Sequence, residues 1–159
     1  MKAATVAQLK KELQFRDTEE LLELCLRLSK FKKENKELLT YLLFEAHNEE
    51  GYIQTVQEEL DEMFSEINTN SYFYIKKSVR KILRTLRKYI RYSGKKETEV
   101  ELLLYFCQKL QSFEPSIYRN TTLVNLYERQ IASIQKKITL LHEDLQHDYS
   151  VLLEELASK

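Results

Sequence analysis

The sequence is poor in the residues that turn a chain. It holds two glycines and one proline in 159 residues. A β fold built from tight turns needs many more of both. Two glycines also leave no room for a glycine-rich phosphate loop. Long apolar runs are missing as well. The longest, Leu38 to Phe44, is interrupted by Thr40 and Tyr41, and falls far short of the roughly 20 residues a membrane span requires. The first residues, MKAATVAQLKKEL, alternate charge and apolar side chains and lack the apolar core of a secretory leader. These features lead to the expectation of a cytoplasmic protein with no membrane partner. The two isolated cysteines, Cys25 and Cys107, fit a reducing compartment. Each falls on the apolar side of a helical pattern and reads as a reduced core residue.

What is present favours helix. Leu, Glu, Lys and Gln dominate, and all are good helix formers. The length fits a single domain, residues 1–159, with a proper core. Apolar spacing and caps predict an all-α array of about six to seven helices. An α-α hairpin superhelix or an irregular bundle would satisfy the pattern. The outline is similar to a short HEAT-like solenoid, although no repeat recurs at a fixed period.

A first helix is expected over 5–14 and a second over 18–33, capped by Asp17, with Leu21, Leu24, Cys25, Leu28 and Phe31 inward. Asn35 is expected to cap a third, and the stretch His47 to Gly51 to stop it. A fourth covers 52–67. A fifth ends at Ser93-Gly94, with Gly94 suited to a left-handed position after the last turn. Thr98 and Glu101 have capping-box spacing ahead of a sixth, and Asn120 can cap a seventh. From Thr121 to Ala157 nothing breaks the pattern. Ile131, Ile134, Ile138, Leu141 and Leu145 continue a heptad seam begun at Val124, which fails at Asp148. One long helix over 121–157 is therefore expected, either as a spine or as an arm for self-association.

Charge is distributed far less evenly than its zero sum implies. Nine acids and no base lie between Glu37 and Ile75; ten bases and no acid lie between Lys76 and Lys96. On a helical wheel with Ile75 at zero, Val79, Ile82, Leu83, Leu86, Tyr89 and Ile90 fall within about −40° to +80°. Lys77, Arg80, Lys81, Arg84, Arg87, Lys88 and Arg91 fall within about 120° to 240°. The fifth helix is thus strongly amphipathic with a purely basic outer face. Like charges recur on it at i,i+4, each pair costing about 0.2–0.5 kcal/mol. A sequence that tolerates this repulsion suggests an anionic partner. The candidates are an acidic protein surface, an acidic helix of the same chain or of a second copy, or nucleic acid, for which arginine is the better phosphate ligand and nearby Tyr and Phe could stack on bases.

Chemistry is hard to find. His142 and His147 are five apart, about 140° round a helix, so HEDLQH misses the i,i+4 spacing of a zinc helix. No second carboxylate-x-x-His motif is present for a two-metal bundle site. No nucleophile has a marked base. The reading is a non-catalytic interaction or scaffold protein with no metal and no cofactor. It would dock an anionic partner through the helix at 74–92, with nucleic acid as the alternative.

Overall fold

The computed structural model of the chain describes residues 1–158. Among these there are eight α-helices and no strand. The chain divides into two compact units, Met1–Phe44 and Glu45 onward.

The first unit holds α1 (Val6–Leu13), α2 (Thr18–Phe31) and α3 (Lys33–Thr40). Thr5 caps α1 through a capping box with Gln8. Asp17 caps α2, its Oδ1 accepting from Glu20 N at 2.8 Å. Asn35 does not cap α3, which already begins at Lys33. Its Nδ2 instead donates to Leu28 O at 2.8 Å, closing the end of α2. α2 packs on α3, yet Ser29 is the only buried residue in α2 and α1 has none. The residues expected inward on α2 are therefore exposed, Cys25 among them. Their spacing marks the apolar side correctly; α3 covers it only in part.

The second unit holds α4 (Glu49–Ser65), α5 (Tyr72–Ser93), α6 (Lys96–Gln111), α7 (Thr121–Ile138) and α8 (Glu143–Ala157), with a 3₁₀ turn at Ile117–Arg119. α6 is the centre, packing against each of the other four. Val100, Leu102, Leu103, Leu104, Phe106, Cys107 and Leu110 are at most 3% exposed. A helix apolar on every side must be enclosed. Phe106 packs against Phe64 of α4 with centroids 5.9 Å apart.

Local chemistry fixes the ends. His47 to Gly51 is not a stop. Asn48 caps α4, its Oδ1 accepting from Gly51 N at 3.1 Å. A Cβ on Gly51 would meet that side chain at 2.5 Å, so glycine here admits the cap. Gly94 takes φ 69° after α5, as expected of a left-handed stop. Thr98 makes no capping box; its Oγ1 donates to Glu49 Oε1 at 2.8 Å. Asn120 does cap α7, accepting from Leu123 N at 3.1 Å.

The uninterrupted helix expected over 121–157 is two helices. α7 ends at Ile138, and α8 turns back to pack on α7 and α6. The sequence seam fails at Asp148, and a straight helix would carry the following apolar residues away from the core. Reversing the chain buries Tyr149, Leu153 and Leu156 instead. Gln146 Nε2 holds the turn, donating to Leu141 O at 2.7 Å.

Candidate anion-binding cleft

α5 places Ile75, Val79 and Leu86 at 0% exposure inside the second unit. The opposite arc is left outside. Lys77, Arg80, Lys81, Arg84, Arg87 and Arg91 are exposed, and Lys88 is half-buried with its ammonium 5.7 Å from the Tyr89 ring centroid. Among the described residues, Lys77, Arg80, Lys81, Arg84 and Arg91 make no ion pair.

Three acids of α4 are engaged elsewhere. Glu49 accepts from Thr98 and Ser93 and pairs with Lys95 at 3.3 Å. Glu59 accepts from Tyr89 Oη at 2.7 Å. Asp61 accepts from Tyr105 Oη at 2.6 Å and pairs with Lys109 at 3.1 Å. Burial alone would raise the Asp61 pKa, but the Tyr105 and Lys109 hydrogen bonds and the Lys109 charge outweigh it and hold the carboxyl below its ordinary value. These contacts brace α4 against α5 and α6. None neutralises the outer face of α5.

α7 supplies a second wall. Its Leu123, Tyr127 and Ile134 turn into the core, which leaves Thr122, Asn125, Leu126 and Arg129 facing α5. Between the two helices lies a cleft of about 510 Å³ lined by Arg80, Arg84, Arg87 and Arg129, with Thr122, Asn125 and Gln130 as polar groups and Leu83 and Leu126 as apolar ones. No carboxylate lines it. Arg87 Nη2 donates to Gln130 Oε1 at 3.2 Å, and Gln130 is 4% exposed. A buried neutral amide therefore orients this guanidinium without cancelling its charge. A second groove of about 380 Å³ continues the surface along α5 and shares Arg80 and Arg84, adding Phe73, Lys76 and Lys77.

Four guanidiniums line a cleft without a carboxylate, and each offers a planar fork of donors that matches carboxylate or phosphate. Of the residues expected from sequence, Arg80, Arg84 and Arg87 line the cleft and Lys77 lines the adjoining groove. Lys81, Lys88 and Arg91 line neither. Arg129, Thr122, Asn125 and Gln130 escaped the sequence reading. Thr122, Asn125, Leu126 and Arg129 do form an i, i+3, i+4, i+7 stripe, but only the packing of α7 shows that the stripe faces α5.

The expected self-association seam lies inside the unit. Ile134 and Ile138 are 0% and 5% exposed, and Ile131, Leu141 and Leu145 are half-buried. Packing of α7 onto α6 uses Ile134 and Ile138, while Leu141 lies in the turn after α7 and Leu145 in α8, so the five residues do not form one continuous helical seam. Of the aromatic residues near α5, Tyr72 Oη donates to Ser116 O at 2.8 Å and Tyr89 is tied to Glu59. Phe73 and Tyr74 remain 66% and 45% exposed. His47, His142 and His147 are all exposed. Among the described residues, no group of three His, Cys, Asp or Glu side chains is placed to hold a metal ion, and no helix is long and apolar enough to cross a membrane. No family model, no curated protein and no solved structure matches the chain.

Proposed function

We propose that the protein is a non-catalytic, cytoplasmic docking protein that binds an acidic protein segment along α5 and in the cleft between α5 and α7. One observation carries this reading: Arg80, Arg84, Arg87 and Arg129 converge from two helices with no carboxylate among them. Repulsion among four like charges disfavours the empty cleft, and an anion relieves it. The exposed free thiol of Cys25 fits a reducing compartment. The partner would be held by charge-assisted hydrogen bonds and would be sensitive to salt.

A second reading rests on a different observation. Phe73, 66% exposed at the end of the adjoining groove, offers a stacking surface beside a row of arginines. That combination suits a single nucleic-acid strand.

Fluorescence anisotropy with labelled polyglutamate and labelled single-stranded RNA, at low and near-physiological salt, tests both. Under the first reading, polyglutamate binds at micromolar concentrations, Arg80→Glu with Arg84→Glu abolishes binding, and Arg129→Glu weakens it about tenfold. Thermal stability stays unchanged in each variant, because these side chains are exposed. Under the second, RNA binds in preference, log affinity falls with log salt at a slope of roughly −3 for four phosphates, and Phe73→Ala weakens binding. Failure of both probes at low salt would overturn the proposal.

A further inference from the structure

The first unit leaves fourteen large apolar side chains between 36% and 81% exposed within 44 residues. The second leaves six from Glu45 onward. Taking roughly 150 Å² for each whole side chain, the first unit presents on the order of 1,000 Å² of apolar surface to water. A monomer rarely exposes more than a few hundred square ångströms in one patch, and a stable interface buries about 800 Å² per partner. Spread over α1, α2, α3 and their flanking residues, the total is of the size that a stable interface buries.

α2 shows which partner fits. On a wheel with Cys25 at zero, Leu21, Leu22, Leu24, Leu26, Leu28 and Phe31 spread over about 220°. One packed neighbour needs about 100°, and α3 is the neighbour α2 has within its unit. Leu21, Leu24, Leu28 and Phe31 step by three, four and three, the spacing of a helix-pairing seam. Leu28 and Phe31 are 61% and 77% exposed. A shallow apolar groove of about 210 Å³ beside this seam, floored by Cys25, Leu28, Leu38 and Leu42, is open to an incoming side chain.

Charge sets the direction. Asp17, Glu19, Glu20 and Glu23 occupy the first half of α2, and Arg27, Lys30, Lys32 and Lys33 occupy its second half and the start of α3. Within α2 itself each half carries a single sign, with Arg16 and Glu34 just outside it. Two parallel copies would set like against like at both ends. Two antiparallel copies set acid against base at both. The local pairs Arg16–Glu20 at 3.4 Å and Lys33–Glu37 at 3.7 Å are exposed i,i+4 contacts of small worth and leave this polarity intact.

We infer that the protein forms a symmetric dimer through antiparallel pairing of α2 with α2 of a second copy. With the two-fold axis near residue 26, Leu24 meets the partner's Leu28, Leu21 meets the partner's Phe31, and the acidic first half of α2 lies along the partner's basic second half. The arrangement is self-complementary, as a two-fold interface requires. It uses none of the basic residues of α5, so it stands or falls separately from the docking proposal.

Sedimentation equilibrium of the full chain over a micromolar range tests it. Wild type should sediment at twice 19.1 kDa. Leu24→Asp with Leu28→Asp should give the monomer while the second unit keeps its cooperative melting transition. Glu20→Lys with Glu23→Lys should weaken the dimer about tenfold or more, and adding Arg27→Glu with Lys30→Glu should restore it. A 19.1 kDa species at every concentration overturns the inference, whether a lipid vesicle or another protein then proves to take the face. So does a dimer that survives the Leu24/Leu28 variant. A dimer indifferent to the charge reversal overturns the antiparallel pairing.

Discussion

α2 and α6 are of similar length, and both carry apolar residues over most of their circumference. They meet opposite fates. α6 packs against four helices, and seven of its apolar side chains are at most 3% exposed. α2 packs on α3 and buries only Ser29. Apolar content alone therefore does not specify a core; the number of neighbours does. Where the second unit has a surface to offer, it offers charge along α5. Where the first unit has one, it offers hydrocarbon. The two surfaces call for different partners and respond to different reagents, and that contrast can be tested in three further ways.

The largest difference should appear on truncating a side chain in each unit. Phe106→Ala removes a ring at 0% exposure from the centre of the second unit, and should cost about 3–5 kcal/mol through lost burial and the cavity left behind. Leu22→Ala, at a position 58% exposed on α2 and off the pairing seam, should change stability by no more than about 0.5 kcal/mol. Denaturant titration followed by circular dichroism reads both. Comparable losses would mean that α2 is enclosed in solution and that the contrast between the units is false.

The cysteines sharpen the same comparison without mutation. Cys107 is 0% exposed, and burial pushes its thiol up to about 12. At pH 8 such a thiol is thiolate in about one part in ten thousand, and the thiolate is the reactive form. Cys25 is exposed. At a dilution that keeps the chain monomeric, a maleimide should therefore label one thiol per chain quickly in the native state and the second only in denaturant. Mass spectrometry of digested protein should place the first label on Cys25. Early labelling of Cys107 would show that α6 opens far more readily than its packing implies.

Much of the architecture was legible in the sequence, and the failures have physical causes. The all-helical class, Asp17 and Asn120 as caps, Gly94 as a stop and the two non-overlapping arcs of α5 all follow from local rules, and the structure shows each of them. Those rules concern a residue and its near neighbours along the chain. Cys25 was expected in a core because its side of α2 is apolar, but burial depends on what another element supplies. The break after Ile138 has no glycine or proline to announce it. It follows from the return of α8 to the core, a gain visible only once α6 is in place. Thr98 had the spacing of a cap but is taken by Glu49, distant in sequence. The same limit hid half of the cleft. Arg80, Arg84 and Arg87 stand out on one helix, whereas Arg129 joins them only through the packing of α7 beside α5.

The smallest expected effect concerns a carboxylate that the second unit holds at some cost. Glu101 sits partly buried on α6. Burial raises its pKa above the ordinary 4.5, the nearby charges of Glu97 and Glu50 raise it further, and a hydrogen bond from Tyr149 opposes them in part. The folded state therefore keeps this proton to higher pH than the unfolded chain does. Between the unfolded and folded pKa values the native state binds more protons, so this group's contribution to stability falls as pH rises through that window. Glu101→Gln removes the charge and keeps an oxygen to accept from Tyr149. The variant should melt slightly higher than wild type at pH 7, and the difference should vanish as pH falls below about 4, where wild type is protonated in both states. Thermal melts of the two proteins across that range would show it. A variant that melts lower at pH 7 would mean that the ionised carboxylate stabilises α6 against α8, with the Tyr149 hydrogen bond outweighing burial and the repulsion from Glu97.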